Sequence, residues 1–163
     1  LAAHAVMLGE VPRPTLREVG PGHQIGSNHG PEPFTVLHWT LAPGAKIEPH
    51  AHTYGNVVTL GLSGAVAVHN YEVVGVRDYD TDGEFEAVRV QEQLLRPGDV
   101  NLVSLERPYV HGFTAGPDGA SGLDITTRIV PKRRTPLLEL GEALEPRLTD
   151  GPPRFRARWR FAD

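Results

Sequence analysis

The chain has no cysteine among its 163 residues. This absence excludes disulfides, thiolate metal ligands and a cysteine nucleophile. No apolar run reaches 18 residues, so the sequence predicts no membrane-spanning helix. A formal net charge of −4 provides no basic excess, and nucleic acid is therefore not an expected partner.

The same absences leave the cellular compartment undecided. The chain begins at Leu1 rather than at a methionine. A soluble cytoplasmic protein and a protein exported after removal of an N-terminal signal both fit this start. The sequence likewise leaves the oligomeric state open, with a homodimer as one alternative.

Turn-forming residues are abundant. There are 18 glycines and 15 prolines, while 39% of the residues are hydrophobic and lie in short runs. This pattern favours many short strands over long helices. The length suits one domain with a full core, so we expect a single all-β domain.

Two histidines in the stretch from Gly44 to Gly64 are candidate metal ligands. His50 and His52 are two residues apart, so in an extended segment both imidazoles lie on one face. Two neutral imidazoles form half of a first-row metal site. The best candidate for a third ligand is His111, which follows a turn, a short apolar strand and a second turn.

These segments resemble the two paired motifs of the cupin superfamily. The resemblance covers about residues 34 to 130 and implies a double-stranded β-helix, or jelly-roll barrel, with a mononuclear metal at the three histidines. The first motif matches Gly44, His50, His52 and Gly64, and the second matches Pro97, Gly98, Asp99 and His111.

The resemblance also divides the chain. We expect an N-terminal arm at residues 1–33, a barrel core at 34–130 and a C-terminal extension at 131–163. The arm is rich in proline and glycine and is predicted to be irregular. The extension suggests a short helix from Pro136 to Leu144. Its last segment, Arg154–Phe161, alternates arginine with apolar residues, which predicts an amphipathic strand covering a sheet, with a dimer seam or an anion-binding edge as alternatives.

Asn56 marks a departure from many cupins, which carry a glutamate ligand at this position. The remaining three-histidine set is similar to that of the cysteine-dioxygenase-like (thiol dioxygenase) branch. Asn56 is at most a weak oxygen donor beside the metal or the substrate. In that branch the strand after the third histidine carries serine, histidine and tyrosine, whereas this chain has Asp124, Thr126 and Arg128.

The strand from Ser121 to Val130 has one apolar and one polar face. A half-exposed strand and a strand whose polar face lines the barrel both fit this pattern. In the second case Arg128, with Thr126, would bind a substrate anion, and Asp124 would assist proton movement. Tyr109, two residues before His111, is a further proton-transfer candidate, and a packed aromatic is its equal alternative.

The other histidines favour structural roles. His38 and His69 lie on strands whose pattern predicts packed or hydrogen-bonded side chains. His23 and His29 lie in the arm, where solvated loop positions are the first interpretation. The alternative is that the arm folds over the barrel mouth and contributes one of them to the pocket.

Three neutral histidines leave coordination positions for a chelating substrate and O2 together. We therefore predict an Fe(II)-dependent dioxygenase that resembles thiol dioxygenases and acts on a small anionic substrate. Imidazole also accepts Cu, Ni, Mn and Zn. The alternatives are a non-redox metal-dependent lyase, isomerase or hydrolase, and a non-catalytic cupin that only binds a ligand.

Overall fold

The computed structural model describes residues 14–29, 33–75, 79, 83–106, 110–129, 135–145 and 151–161. These residues form ten strands and no helix, which confirms the all-β prediction. The described part accordingly offers no helix able to cross a membrane. The strands are β1 (Arg17–Gly20), β2 (His23–His29), β3 (Phe34–Leu41), β4 (Lys46–Ala51), β5 (Gly55–Val74), β6 (Phe85–Leu95), β7 (Val100–Val103), β8 (Val110–Arg128), β9 (Pro136–Leu144) and β10 (Arg154–Phe161).

The two longest strands, β5 and β8, form the spine of the barrel. They pair antiparallel from Gly55 opposite Arg128 to Tyr71 opposite Val110. The register shifts around Gly64, whose φ of 65° favours glycine. β5 continues through this bend, because β8 pairs with it on both sides.

One half of this spine builds the first sheet, in the order β1-β2-β3-β8-β5-β7. β2 pairs with β3 along its whole length, from His23 opposite Leu41 to His29 opposite Thr35. The prediction of an irregular arm is therefore wrong for β1 and β2. Proline and glycine content signalled loops, but the neighbouring edge of β3 supplies strand partners that override this local signal.

The other half of the spine builds the second sheet. Here β4 and β6 flank β8 and β5, and the β9–β10 hairpin lies between β4 and β6. The predicted helix at Pro136–Leu144 is wrong, since this segment is β9. Cross-strand pairing with β10 and the burial of Leu138 prevail over the local helix propensity.

β10 has the amphipathic character that the sequence predicted. Its apolar residues Phe155, Ala157 and Trp159 pack in a core cluster beside β9. Its arginines all reach glutamates, so the alternative of a free anion-binding edge finds no support. The ion pairs are Arg154–Glu86, Arg156–Glu84, Arg158–Glu139 and Arg160–Glu48.

The buried residues form two hydrophobic clusters, and His111 lies on the strand that contributes to both. One cluster contains Trp39 and Phe113, and the other contains Val110 and Leu138. His111 lies in β8 between Val110 and Phe113 and is fully buried. The fold therefore holds this imidazole on rigid strands with packed side chains on both sides.

Candidate metal centre

The three sequence-predicted ligands converge. His50 lies opposite His111 in the pairing of β4 with β8, and His52 follows directly after the end of β4. The histidines each offer one ring nitrogen, and these nitrogens lie within 4.8 Å of one another. The prediction from the sequence that these three histidines lie together thus agrees with the observed pairing of the strands.

The closest pair of nitrogens fits binding to a single ion. His52 Nε2 lies 2.9 Å from His111 Nε2. Two nitrogens bound at right angles about 2.0–2.1 Å from one metal would lie about 3.0 Å apart. The Nδ1 atoms of both rings are buried and make no hydrogen bond with the described residues, so Nε2 is the atom that each ring presents to the cluster.

A backbone contact orients the third ring. His50 Nδ1 lies 2.9 Å from the Glu48 carbonyl oxygen. A carbonyl can only accept, so Nδ1 carries the proton and donates to it. The Nε2 lone pair of His50 is then available for a metal, and the hydrogen bond fixes both tautomer and ring direction.

Electrostatics keep the cluster neutral. Burial lowers the pKa of His50 and holds the pKa values of His52 and His111 well below their ordinary value of 6.5. The neighbouring imidazoles lower them further, because a second positive charge in the same buried space is unfavourable. The rings are therefore uncharged at neutral pH, which is the form that binds metal.

The arm contributes His23 to this environment. His23 is close enough to His50 to lower its pKa electrostatically, a smaller effect than burial. His23 Nε2 is buried and has no hydrogen-bond partner among the described residues. This position favours the alternative in which the arm contributes a histidine to the pocket. The side chain of His29 lies outside the described residues.

The polar face of β8 points into the barrel. Asp124 and Thr126 are buried, whereas Leu123 and Ile125 alternate outward and are partly exposed. Asp124 Oδ1 accepts hydrogen bonds from Thr59 Oγ1 at 2.6 Å and from Trp39 Nε1 at 3.3 Å. Burial raises the pKa of Asp124 to about 6, and these two hydrogen bonds oppose the rise. Asp124 is thus an anchored carboxylate with a pKa near neutrality.

Tyr54 is a residue of the site that sequence reasoning missed. Its ring centroid lies 6.1 Å from that of His52. Burial raises the pKa of Tyr54, Asp124 raises it further, and Arg128 opposes the rise. Tyr54 therefore lies between the histidines and the polar end of β8. Its spacing of two residues from His52 was the available signal.

The remaining predicted site residues are Arg128, Asn56 and Tyr109, and they differ in their surroundings. Arg128 is partly buried at the end of β8, opposite Gly55 and within electrostatic range of Tyr54. Asn56 alternates with the interior residue Val57, and its Oδ1 accepts a hydrogen bond from the Leu105 amide at 3.1 Å. This contact gives Asn56 a structural role and no support as a metal neighbour. Tyr109 lies outside the described residues.

The fold matches solved cupin structures. No protein-family profile and no curated protein sequence matches the chain. KdgF from a Halomonas species is 19% identical over 73% of this chain and 89% of that chain, with a TM-score of 0.52. An RmlC-like cupin from Shewanella frigidimarina NCIMB 400 is 19% identical over 72% of this chain and 86% of that chain, with a TM-score of 0.50. An oxalate oxidase is 15% identical over 70% of this chain and 55% of that chain, with a TM-score of 0.51.

At these identities the matches establish the fold. The chain has the cupin double-stranded β-helix fold, as the motifs predicted. The matches do not single out the thiol dioxygenase branch. That finer assignment stays a prediction from the three-histidine set.

Proposed function

We propose that this protein is a mononuclear metal-dependent dioxygenase, similar to thiol dioxygenases, that oxidises a small anionic substrate. The observation that carries the proposal is the convergence of three neutral imidazoles inside a cupin barrel. No carboxylate joins these three in the metal-ligand cluster found among the described residues. The donor set is therefore uncharged.

An uncharged donor set bears on the choice of metal and substrate. An Fe(II) ion held by three imidazoles keeps its full positive charge and open coordination positions, and supplies the redox chemistry that dioxygen requires. Such a site favours substrates that chelate through thiolate, enolate or carboxylate groups. Imidazole nitrogen also suits Cu, Ni, Mn and Zn. The experiment described below therefore also identifies the metal.

The chain's own residues would exclude water and orient the substrate. Phe113 packs on His111, with ring centroids 4.6 Å apart, and Trp39 packs on Phe113 at 5.7 Å. These aromatic rings make one side of the site apolar, which strengthens electrostatic interactions within it. On the other side, Tyr54 and Arg128 provide a hydroxyl and a fixed cation to orient an anionic substrate.

Asp124 is the residue proposed to accept a proton from the substrate. Its Oδ1 is anchored by Thr59 and Trp39, and neither of these contacts uses Oδ2. A carboxylate with a pKa of about 6 is largely ionised at neutral pH and close to the value that favours general-base catalysis. Thr126, the next inward residue on β8, adds a hydroxyl group along the same face.

Asp124 also favours one alternative function. A lyase or isomerase needs a base and a Lewis-acidic metal but no dioxygen. The anchored carboxylate and the three-histidine cluster would serve such a reaction equally well. Oxygen consumption on addition of substrate separates the two enzymes, whereas substrate binding without turnover would indicate a ligand-binding cupin.

The first experiment measures metal content by elemental mass spectrometry on protein purified without a polyhistidine tag. The His111→Ala variant is compared with His69→Ala, since His69 lies outside the cluster and faces Glu92 at 3.7 Å. We expect near-stoichiometric iron in wild type and His69→Ala, and its loss in His111→Ala. Small thiols and 1,3-dicarbonyls are then screened with an oxygen electrode. Zinc without oxygen uptake would favour the lyase or isomerase, and no metal in any variant would overturn the proposal.

A further inference from the structure

Two buried asparagines join the two sheets beside the metal cluster. Asn70 of β5 is fully buried, and Asn101 of β7 is 2% exposed. Asn70 Nδ2 donates to Asn101 Oδ1 at 3.2 Å, and Asn101 Nδ2 donates to Asn70 Oδ1 at 2.8 Å. We call this reciprocal contact the amide pair. Asn70 lies in the half of β5 that builds the second sheet, whereas β7 belongs to the first sheet, so the amide pair spans the interior between them.

The amide pair links the surroundings of His111 to those of Asp124. Asn70 is directly opposite His111 in the pairing of β5 with β8, and side chains at such positions share a face with their Cβ atoms about 5 Å apart. On the other sheet, Asn101 is opposite Thr59. Thr59 is in turn opposite Asp124 and donates to it at 2.6 Å. One asparagine therefore adjoins a metal ligand, and the other leads through Thr59 to the proposed base.

A backbone carbonyl fixes the orientation of these amides. Gln93 Nε2 donates to the Val100 carbonyl oxygen at 3.1 Å, and a carbonyl can only accept. Gln93 Oε1 is then the atom that accepts from Asn101 Nδ2 at 3.3 Å, which leaves Asn101 Oδ1 to accept from Asn70. Each amide is therefore held in one of its two possible orientations.

Asn70 keeps hydrogen-bonding capacity for a ligand. A carboxamide offers two N–H donors and two oxygen lone pairs. The hydrogen bonds that the Asn70 side chain makes with the described residues both involve Asn101. One Nδ2 hydrogen and one Oδ1 lone pair are therefore left for a group that binds beside His111.

Stability alone does not account for the amide pair. Val68 and Val103, two residues from Asn70 and Asn101 on the same strand faces, are fully buried and apolar. Replacing both partners of a buried hydrogen bond with apolar side chains of similar shape is nearly neutral or even stabilising. Two leucines would therefore fill this position about as well, whereas two amides add a donor and an acceptor next to a metal ligand.

We propose that Asn70 is a substrate-binding residue that recognises a carbonyl or hydroxyl oxygen next to the carboxylate of the substrate. This inference rests on the proposed function and deepens it, because it names the substrate class as small 2-oxo or 2-hydroxy carboxylates. Asn70 Nδ2 donates to the carbonyl or hydroxyl oxygen, and Asn70 Oδ1 accepts from a hydroxyl. A plain carboxylate of the same size lacks this oxygen and leaves the buried donor unpaired.

Ligand binding to zinc-loaded protein tests the inference without any oxidation. The probes are lactate, pyruvate and propanoate, which are three-carbon carboxylates, and only the first two carry the second oxygen function. Calorimetry compares wild type with Asn70→Leu. The control is Gln24→Leu, because Gln24 is an exposed amide on β2. In Asn70→Leu we expect the affinity for lactate and pyruvate to fall about tenfold and that for propanoate to stay nearly unchanged, while the control matches wild type.

A second variant separates recognition from folding. Asn70→Leu leaves the buried amide of Asn101 without its partner, whereas the double variant Asn70→Leu/Asn101→Leu removes both amides together. The double variant should keep a Tm close to that of wild type and show the same selective loss of affinity. Side-chain amide NMR of wild type gives an independent readout, since lactate should shift the Asn70 NH2 signals and propanoate should not.

Metal content measured on the same samples separates this inference from the proposed function. Equal losses of affinity for all three anions, or Asn70 signals that lactate does not shift, would give the amide pair a purely structural role and overturn the inference. Zinc bound by wild type without selectivity among the anions overturns this inference alone. No bound zinc in wild type overturns both the inference and the metal site on which it rests.

Discussion

His52 Nε2 lies 2.9 Å from His111 Nε2, although 59 residues separate the two histidines in the chain. The contact exists because β8 pairs with β4 on one side and with β5 on the other. Neither the segment that contains His52 nor the segment that contains His111 forms the cluster alone. Metal affinity should therefore depend on the assembled barrel, and bound metal should in turn stabilise the fold.

Removal of the metal should lower thermal stability. A ligand that binds only the folded state stabilises it by about 2.7 kcal/mol at a free concentration 100 times its Kd. For a domain of this size, that corresponds to a fall of roughly 5–10 °C in Tm. We expect this fall when wild type is treated with a chelator and followed by calorimetry. His111→Ala should show no chelator effect, and an equal fall in that variant would contradict the assignment.

Metal affinity should persist at mildly acidic pH. Three imidazoles with ordinary pKa values would lose about 50-fold in affinity between pH 7.5 and pH 6 through protonation. Here burial holds the pKa values of His52 and His111 well below 6.5, so protons compete only at lower pH. We expect a loss of less than about tenfold in competition titrations at the two pH values. A loss near 50-fold would show that the histidines titrate as exposed groups.

Asp124 should make stability fall as the pH rises. Its pKa of about 6 exceeds the ordinary value of 3.8, so the unfolded chain releases this proton first. Between about pH 4 and pH 7, wild type should lose about 3 kcal/mol of unfolding free energy relative to Asp124→Asn. The asparagine stays neutral, and its Oδ1 can still accept from Thr59 and Trp39. Urea titrations across this range measure the difference, and parallel curves would refute the pKa shift.

The same Asp124→Asn variant tests the catalytic role. We expect kcat to fall at least 100-fold, since a general base commonly contributes about that factor. The acidic limb of the kcat/KM profile near pH 6 should disappear, while metal content stays intact. A variant that loses activity but keeps this limb would assign the titration to another group.

The sequence predicted the three-histidine cluster and the fold for local reasons. The His50–His52 spacing needs only the two-residue period of a strand, and the cupin motifs carry their own turn residues. Other features arise from register between distant strands. Trp39 and Thr59 are separated by 85 and 65 residues from Asp124, their shared hydrogen-bond acceptor, and no local pattern predicts these contacts.

The two wrong secondary-structure predictions also result from pairing between strands that are distant in sequence. Pro136–Leu144 has leucine and glutamate in a helix-compatible pattern, yet it pairs with β10 as β9. The arm is rich in turn residues, yet β2 finds a partner along all of β3. In both places hydrogen bonding to a neighbouring strand, β10 or β3, made the segment a strand despite its local sequence. The sequence therefore predicts a loop position for His23, although its strand carries it toward His50.

Gly122 should be intolerant of even one methyl group. A Cβ there would lie 2.2 Å from Trp39 Cζ2 and 2.7 Å from the Leu60 carbonyl oxygen. Gly122→Ala must displace Trp39, which also donates to Asp124. We expect a loss of about 2–3 kcal/mol and a changed tryptophan fluorescence spectrum. Gly20→Ala is the control, since nothing lies within 4 Å of its added Cβ, and equal losses in the two variants would contradict this packing.

The arginine–glutamate pairs of β10 should differ in how much they stabilise the folded protein. The Arg154 and Glu86 side chains are only 13% and 18% exposed, and two guanidinium nitrogens contact the carboxylate. Arg156 and Glu84 are 51% and 56% exposed. Arg154→Gln should lower Tm clearly, whereas Arg156→Gln should change it little, because water screens the exposed pair. Calorimetry of both variants at low and high salt makes the comparison, and identical shifts would refute it.

The position of β10 has a consequence for synthesis in the cell. β10 is an inner strand of the second sheet, between β9 and β6. Until residues 154–161 leave the ribosome, the nascent chain carries β6 with an open edge and an uncovered apolar patch around Ala87 and Leu138. Unpaired edges of this kind recruit other chains. The protein should therefore fold only after translation of β10, and its yield should depend on chaperones that shield β6 during that interval.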